Sequence, residues 1–324
     1  MGTQLKTKQS ISTDDELPNE EKPDWTALPS ELLGKIGDNL PLLELLCFRS
    51  TCKDWLTASS TASAECEYTT NRDPWFLLYD NAHCRLYQPS SKKVYTIHIP
   101  ELDGATCIAS KQGWLLVCRG SSMFFFCPFS HAQIDLPEFP HSDLSNHIAV
   151  FSSPPTSPDC VVCVIDHVDS TTIELHMLQR GANEWDRYTE NYHMNTITGA
   201  MFSDGVFYFL DSKNLVLTFT IVNKEWEIYQ IVDSDPSDKK PIPTLPFASS
   251  RVKYNDSSDM KLKLGLEEGD SLLTCGTVQP GYKSNICIHN EELKTEDNEK
   301  ACHYKGVWIH PRFFQLPLNH SWSL

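Results

Sequence analysis

Residues 204–227 read DGVFYFLDSKNLVLTFTIVNKEWE. Asp204-Gly205 is a turn pair. Residues 206–210 and 215–219 are short runs of aromatic, aliphatic and β-branched residues, the composition that fits a pleated, half-buried surface. Polar residues separate them, and a third turn leads into Glu225-Trp226-Glu227, the start of another run. The stretch predicts a meander of short antiparallel strands. A single meander cannot cover both of its faces, so it needs neighbours of the same kind.

Such neighbours are present. Lys93-Val94-Tyr95, Gln133-Ile134-Asp135 and Glu184-Trp185-Asp186 each follow a polar turn and begin a short run, as Glu225-Trp226-Glu227 does. Their central residues lie 40, 51 and 41 positions apart. The turn before a strand recurs as well: Gln112-Gly113-Trp114 and Asp204-Gly205-Val206 have glycines 92 positions apart, two periods of 46. Further β-prone runs stand at 76–79, 114–117, 123–126 and 161–165. Periods of about 40–50 residues with several strands each are the signature of propeller blades. Four such blades fit between about 74 and 232, and the longest period holds the three-proline loop 152–158. Residues 233–250 are proline-rich, with Lys239-Lys240, and read as a loop. Beyond them 252–254, 261–266, 271–275, 285–289 and 307–309 are candidate strands of one or two more blades. The expectation for 74–324 is an all-β propeller-like domain of about four to six blades.

The N-terminal part has a different character. Residues 1–23 are polar, with Pro18 and Pro23, and bury too little to offset the cost of ordering, so a disordered tail is expected. In 24–58 the period changes from two to between three and four. Leu32, Leu33, Ile36 and Leu40 follow Pro29, which suits the first turn of a helix, and Pro41 ends that helix. Leu42, Leu43, Leu45, Leu46 and Phe48 form a second apolar cluster, followed by Cys52 and Trp55. Two short helices and a third turn result, in too little chain for a self-sufficient core. Large apolar residues in so small a unit leave apolar surface open to a partner. Residues 59–73 read as a linker. The fold class is therefore a small all-α, three-helix unit followed by the β domain.

Composition excludes several functions. The 324 residues carry 43 acids against 27 bases, a formal net charge of −16. Gripping nucleic-acid phosphates or an anionic membrane surface takes clustered Lys and Arg, and here Lys92-Lys93 and Lys239-Lys240 are isolated pairs. No nucleic acid and no membrane is expected as a partner. No apolar run reaches the length of a transmembrane helix. Residues 1–21 lack the apolar core of a secretory signal, so the expected compartment is cytoplasmic or nuclear, with the 12 cysteines reduced.

The ordered set Trp25, Leu28-Pro29, Glu31-Leu32-Leu33, Ile36, Leu40, Leu45-Leu46, Phe48-Arg49-Ser50, Cys52-Lys53 and Trp55 resembles an F-box. The match runs without a gap. Two positions depart from the family pattern: Gly37 stands where a large apolar residue is common, and Thr51 where valine is usual. The remainder resembles the kelch-like propeller that follows the F-box in a large group of plant proteins. Pro74-Trp75-Phe76-Leu77-Leu78, Gly113-Trp114-Leu115-Leu116, the strand starts at Trp185 and Trp226, and Gly306–Phe313 carry this resemblance. It implies a non-catalytic subunit of a Skp-cullin-F-box ubiquitin ligase. The F-box would bind a Skp-family adaptor and through it a cullin, and the propeller would hold a protein target. The adaptor-facing surface or its immediate support is expected from Leu28, Pro29, Leu32, Ile36, Leu45, Leu46, Cys52 and Trp55. Leu33, Leu40 and Phe48 are expected to hold the helices together. The departures at Gly37 and Thr51 keep a second reading open: an F-box-derived interaction or regulatory protein that no longer assembles a ligase.

Other constellations carry less. Cys160 and Cys163 have C-x-x-C spacing but no second pair, which reads as two core thiols in a strand. Cys287, His289, Cys302 and His303 cluster in sequence, yet adjacent residues in extended chain point apart. No metal, no cofactor and no catalytic residue is expected. No nucleophile elbow, P-loop or dinucleotide fingerprint occurs, which leaves an enzyme built on a propeller without a recognisable site. Trp75, Trp114, Trp185 and Trp226 are expected in the core. Target specificity is expected in loops around 141–158, 189–198 and 233–250.

Overall fold

The computed structural model describes residues 28–59, 74–79, 83–141, 147–169, 171–193, 195–213, 215–230, 271–275, 287–288, 303–314, 316 and 321–323. Three helices come first: α1 (Ser30–Asp38), α2 (Leu42–Arg49) and α3 (Lys53–Ala58). Pro29, expected in the first turn, stands one place earlier at the N-cap of α1 with ψ 142°. Pro41 follows the end of α1 as expected and is also the N-cap of α2, with ψ 161°.

Among the described residues eighteen strands follow in four sheets. The first holds β1 (Trp75–Tyr79), β2 (His83–Gln88) and β3 (Lys93–His98). The second is β4 (Thr106–Lys111), β5 (Trp114–Arg119), β6 (Ser122–Cys127) and β7 (Ala132–Asp135), in that order. The third runs β8 (Ile148–Phe151), β9 (Val161–His167), β10 (Thr172–Gln179) and β11 (Asp186–Asn191). The fourth runs β12 (Ile197–Ser203), β13 (Val206–Asp211), β14 (Leu215–Thr220) and β15 (Trp226–Gln230). Three late strands join the inner edges. Both β16 (Ser271–Cys275) and β18 (His303–Ile309) belong to the first sheet, ordered β16-β18-β1-β2-β3, and β17 (Cys287–Ile288) pairs with β12. The sheets are antiparallel meanders except where β16 lies parallel to β18. This is a propeller-like β domain.

The repeat legible in the sequence is the outer strand of each blade. Lys93, Ile134, Asp186 and Trp226 lie in β3, β7, β11 and β15. Lys92, His131 and Lys224 precede three of these strands with φ of 54°, 56° and 58°, and Gly181 turns the chain before the fourth at φ 89°. The glycine-containing turns at Gln112-Gly113 and Asp204-Gly205 have φ positive at both residues, the geometry of a tight hairpin whose twist matches its strands. They join β4 to β5 and β12 to β13. The long third period is the β8–β9 connection.

The closing of the first blade was not legible. Residues 307–309 were expected in a further blade. Instead β18 pairs antiparallel with β1, Phe76 opposite Trp308 and Leu78 opposite Gly306. Strand β1 thus lies between β18 and β2, and all five of its residues are buried. Hydrophobic alternation marks a strand but does not name its partner. Of the other candidates, 271–275 is β16 and 285–289 contains β17, whereas 252–254 and 261–266 lie outside the described residues.

Inner strands β18, β4, β8 and β12 adjoin in that sequence. Polar bonds cross the seams. Lys305 Nζ donates to Ala105 O and Thr106 Oγ1, both at 2.9 Å. The Cys107 N–H donates to Tyr79 Oη at 2.8 Å. Lys111, buried at the end of β4, donates to Phe151 O and Ser152 O of the next blade at 3.3 and 2.5 Å. One apolar core spans the first three sheets, and a second lies between the third and fourth. Trp75 and Trp114 are buried, while Trp185 and Trp226 are half-buried against these cores. Among the described residues no helix is long and apolar enough to cross a membrane.

Candidate functional site

Helix α1 has two apolar stripes with opposite fates. Leu33 and Gly37, four apart, are buried. Leu32 and Ile36, also four apart, are 47% and 41% exposed. Residues at that spacing share one helix face, so the second stripe is a continuous outward ridge. On α3, which packs against α1, Leu56 is 43% exposed. The two helices approach closely at Gly34, where a Cβ would lie 3.3 Å from Ala58 O. An open groove between them is bordered by Leu28, Ser30, Asp54 and Thr57. Leu32 and Ile36 make an exposed apolar ridge on α1, of the kind that marks a partner site, and Leu56 is a separate exposed apolar side chain on α3.

Helix α2 faces inward. Leu42, Leu45 and Phe48 are buried, and Leu42 and Leu45 belong to the core cluster that runs through the first three blades. The Phe48 ring meets the Trp55 ring with centroids 4.4 Å apart. Arg49 stacks its guanidinium 4.9 Å above the ring of Phe313 and donates from Nη1 to Ser59 O at 2.8 Å. The helical unit is thereby seated on the propeller through α2, which leaves Leu32 and Ile36 of α1 exposed.

The residues expected at the adaptor surface occupy distinct places. Pro29, Leu32 and Ile36 are exposed. Leu28, Leu46, Cys52 and Trp55 are half-buried. Leu45 is fully buried and lies in the propeller core cluster, away from any exposed surface. Leu56 joins the exposed set and was missed, because a lone leucine after Trp55 has no periodic partner in so short a helix. Gly37 lies on the buried face, so its small size alters packing inside the helical unit rather than the ridge. Thr51 is exposed and bonds back from Oγ1 to Cys47 O at 3.1 Å.

The thiols divide in the same way. Cys160 lies in the first core and Cys163 in the second, on opposite faces of the third sheet. Burial pushes the Cys160 thiol up to about 11, and the thiols of Cys84 and Cys107 to about 12. Such groups are poor nucleophiles. Of the other sequence cluster, Cys287 and His303 lie in β17 and β18, and His289 and Cys302 lie outside the described residues.

A second polar constellation escaped the sequence reading. Glu174 and His176 on β10 are buried, and His141 reaches them from the segment that leaves β7. Burial lowers the His176 pKa to about 4, against the raising effect of Glu174. Burial works to raise Glu174, but hydrogen bonds from Arg187 and His141, with the nearby charges, hold its carboxyl below the usual range.

The family model for the KIB1-4 beta-propeller matches residues 86–298, more than half of the chain. The chain belongs to the KIB1-4 beta-propeller family. The F-box domain model matches residues 25–63, the segment that contains all three helices. This KIB1-4 propeller chain is 29% identical over 300 residues to the F-box/kelch-repeat protein At1g57790 of Arabidopsis thaliana, covering 88% of this chain and 72% of that one. It is 29% identical over 212 residues to the F-box protein At3g56470 and 27% identical over 216 residues to the F-box protein At4g00893, both from the same plant. Those two matches cover 62% and 63% of this chain but 55% and 53% of the relatives. Among solved structures, BBS1N in complex with ARL6DN aligns with a TM-score of 0.31 and 11% identity over 49% of each chain. The designed Ika8 protein aligns with a TM-score of 0.29 and 10% identity over 49% of each chain. Alignments that loose carry no argument about this propeller.

Proposed function

We propose that this chain is the substrate-recognition subunit of a Skp-cullin-F-box ubiquitin ligase. The observation that carries the reading is the outward ridge of Leu32 and Ile36 within the segment that matches the F-box model. Helix α1 presents this ridge to a Skp-family adaptor, with Leu28, Pro29, Leu46, Cys52, Trp55 and Leu56 as further contacts or their support and Leu45 as support alone. The adaptor in turn binds a cullin. The propeller offers a rigid platform whose loops take a protein target. The chain performs no bond chemistry in this scheme. It holds target and ubiquitin-loaded enzyme on one assembly, which turns a bimolecular encounter into an effectively intramolecular one. Rigid coupling favours that role: Leu42, Leu45 and Arg49 seat the helical unit on the propeller, so a target held by the blades keeps a defined position relative to the adaptor.

The test is co-purification of the full chain with a Skp-family adaptor, beside the double variant Leu32→Glu, Ile36→Glu. Deleting residues 24–58 is the poorer control, because it strips Leu42 and Leu45 out of the propeller core. Loss of adaptor binding with an unchanged unfolding temperature supports the proposal. Undiminished binding by the variant refutes it. Absence of binding by the unaltered chain would favour an F-box-derived interaction protein that no longer assembles a ligase.

A further inference from the structure

Between the second and third blades two titratable residues stand among mostly apolar side chains. On β10, Ile173, Leu175 and Met177 point into the core between the third and fourth blades. Alternation sends Glu174 and His176 to the opposite face, toward the second blade. Both are buried, at 4% and 3% exposure. Buried carboxylates and imidazoles are costly unless their polar atoms have a purpose or a partner. Here they converge. His141 Nε2 lies 3.0 Å from Glu174 Oε1, and His176 Nε2 lies 3.1 Å from the same oxygen. One donor atom from each of the three side chains lies within 4.8 Å of the other two. Arg187, paired opposite His176 on β11, holds the second carboxylate oxygen, Oε2, donating from Nε at 2.6 Å. Phe139 packs against the rings, its centroid 5.1 Å from both His176 and Trp185 and 5.8 Å from His141.

We infer that His141, Glu174 and His176 form a binding site for a divalent transition-metal ion, with zinc as the fitting member of that class. The donor set decides the class. Two imidazole nitrogens and one carboxylate oxygen suit zinc, whereas calcium and magnesium take oxygen ligands. Spacing agrees. Donors at about 2.0–2.2 Å from a tetrahedral ion stand roughly 3.3–3.6 Å apart, so each nitrogen withdraws a few tenths of an ångström from Oε1, and the two nitrogens, now within 4.8 Å of each other, settle at the same spacing. Two of the ligands come from one strand at a spacing of two, where the backbone fixes their common direction. Arg187 occupies Oε2 and leaves Oε1 to the ion, the outer-sphere arrangement that orients a ligating carboxylate. Its positive charge stands beside the carboxylate and opposes a cation there, a cost that the 61% exposure of the side chain lessens. His141 is 48% exposed at the side chain, which supplies an entry path and a position for a water ligand. Without the ion, each Nε2–H is placed to donate to Oε1. With it, each ring carries its proton on Nδ1 and turns the Nε2 lone pair to the metal, with no change in ring charge.

The ion would fasten the chain crossing from the second to the third blade. That crossing is otherwise held at Trp185, whose indole N–H donates to Pro137 O at 3.1 Å. His141 also opens the stretch 141–158, one of the loops where target specificity is expected, so the ion would fix the first residue of that stretch. This inference does not depend on adaptor binding. It assigns a metal that sequence reading did not, because His141 lies 33 residues from Glu174 and only the fold brings them together.

The test uses the full chain, stripped with a chelator and titrated with zinc chloride by calorimetry, and separately with cobalt(II) to read ligand-field absorption. His141→Ala is the main variant, since a half-exposed side chain is removed with little risk to folding, and Glu174→Gln is the second. The expected result is a zinc-binding event and a cobalt band in the unaltered chain. Both variants should weaken the zinc event at least tenfold and abolish the band, and calcium and magnesium should give neither signal. A zinc-dependent rise in unfolding temperature should vanish with His141→Ala. The inference is overturned if the unaltered chain binds no zinc, or if His141→Ala keeps the same affinity and spectrum. The cluster is then an ion-pair group that fixes the crossing by itself.

Discussion

Gly306 and Phe76 occupy space that only one of them can fill: a Cβ on Gly306 would lie 2.2 Å from Phe76 Cζ. Phe76 is fully buried on β1, and Gly306 lies on β18, the strand that closes the first blade. The aromatic ring lies over the bare backbone of the closing strand and meets Trp308 edge-on, with centroids 5.1 Å apart. Gly306→Ala should therefore destabilise the propeller by about 1–3 kcal/mol, the usual cost of forcing extra volume into a packed core. Thermal unfolding checks this. The decisive control is Phe76→Leu combined with Gly306→Ala, which should recover part of the loss. Strict additivity of the two changes would mean that the contact does not govern closure.

The two stripes of α1 separate stability from binding. Leu33→Ala removes a buried side chain and should cost about 2–3 kcal/mol. Leu32→Ala removes an exposed one and should leave stability within about 0.5 kcal/mol. If the ridge binds an adaptor, Leu32→Ala should nonetheless weaken that complex about tenfold or more, as truncation of a central apolar anchor does. Measuring unfolding and adaptor affinity on the same two variants gives a crossed pattern. Equal effects of both changes on both readouts would contradict it.

Arg49 links the helical unit to the β domain through the ring of Phe313, and ties α2 to the end of α3 through the carbonyl of Ser59. Arg49→Gln loses the cation–π contact and shortens the donor, at a cost of about 1–2 kcal/mol. The loss should be local. Hydrogen exchange should quicken in residues 28–59 while strands β5 and β6 keep their protection. Uniform quickening across both regions would mean that helices and propeller unfold as one unit.

Acid should loosen the third blade before the rest. His176 is neutral when folded, with its pKa lowered to about 4, whereas the unfolded chain binds a proton below about 6.5. The unfolded state thus binds more protons between these values, so stability falls as pH drops from about 6.5 toward 4. Glu174 acts in the same sense lower down, because its folded carboxyl is held below the ordinary value and its contribution is lost as pH falls through that range. His141, Arg187 and, beside Phe139, His147 face the same cluster. In metal-free protein the slope from His176 is at most about 1.4 kcal/mol per pH unit. His176→Gln should flatten it. An unaltered slope in that variant would assign the acid sensitivity to other groups.

Much of this architecture follows from local sequence, because strands, tight turns and helix boundaries obey rules that operate over a few residues. The turns at Gly113 and Gly205, the outer-strand starts from Lys93 to Trp226, and the proline-capped helices α1 and α2 were all legible for that reason. So was the F-box stretch, whose signal is contiguous. What tertiary structure alone decided are the pairings of residues far apart in the chain. That β18 returns to β1, that Leu45 turns into the propeller core while Leu32 turns out, and that His141 meets Glu174 and His176 all depend on which faces pack together. A side chain's type limits where it can be placed. Whether it is buried, exposed or brought beside a distant partner is set by the surfaces that the rest of the fold brings against it.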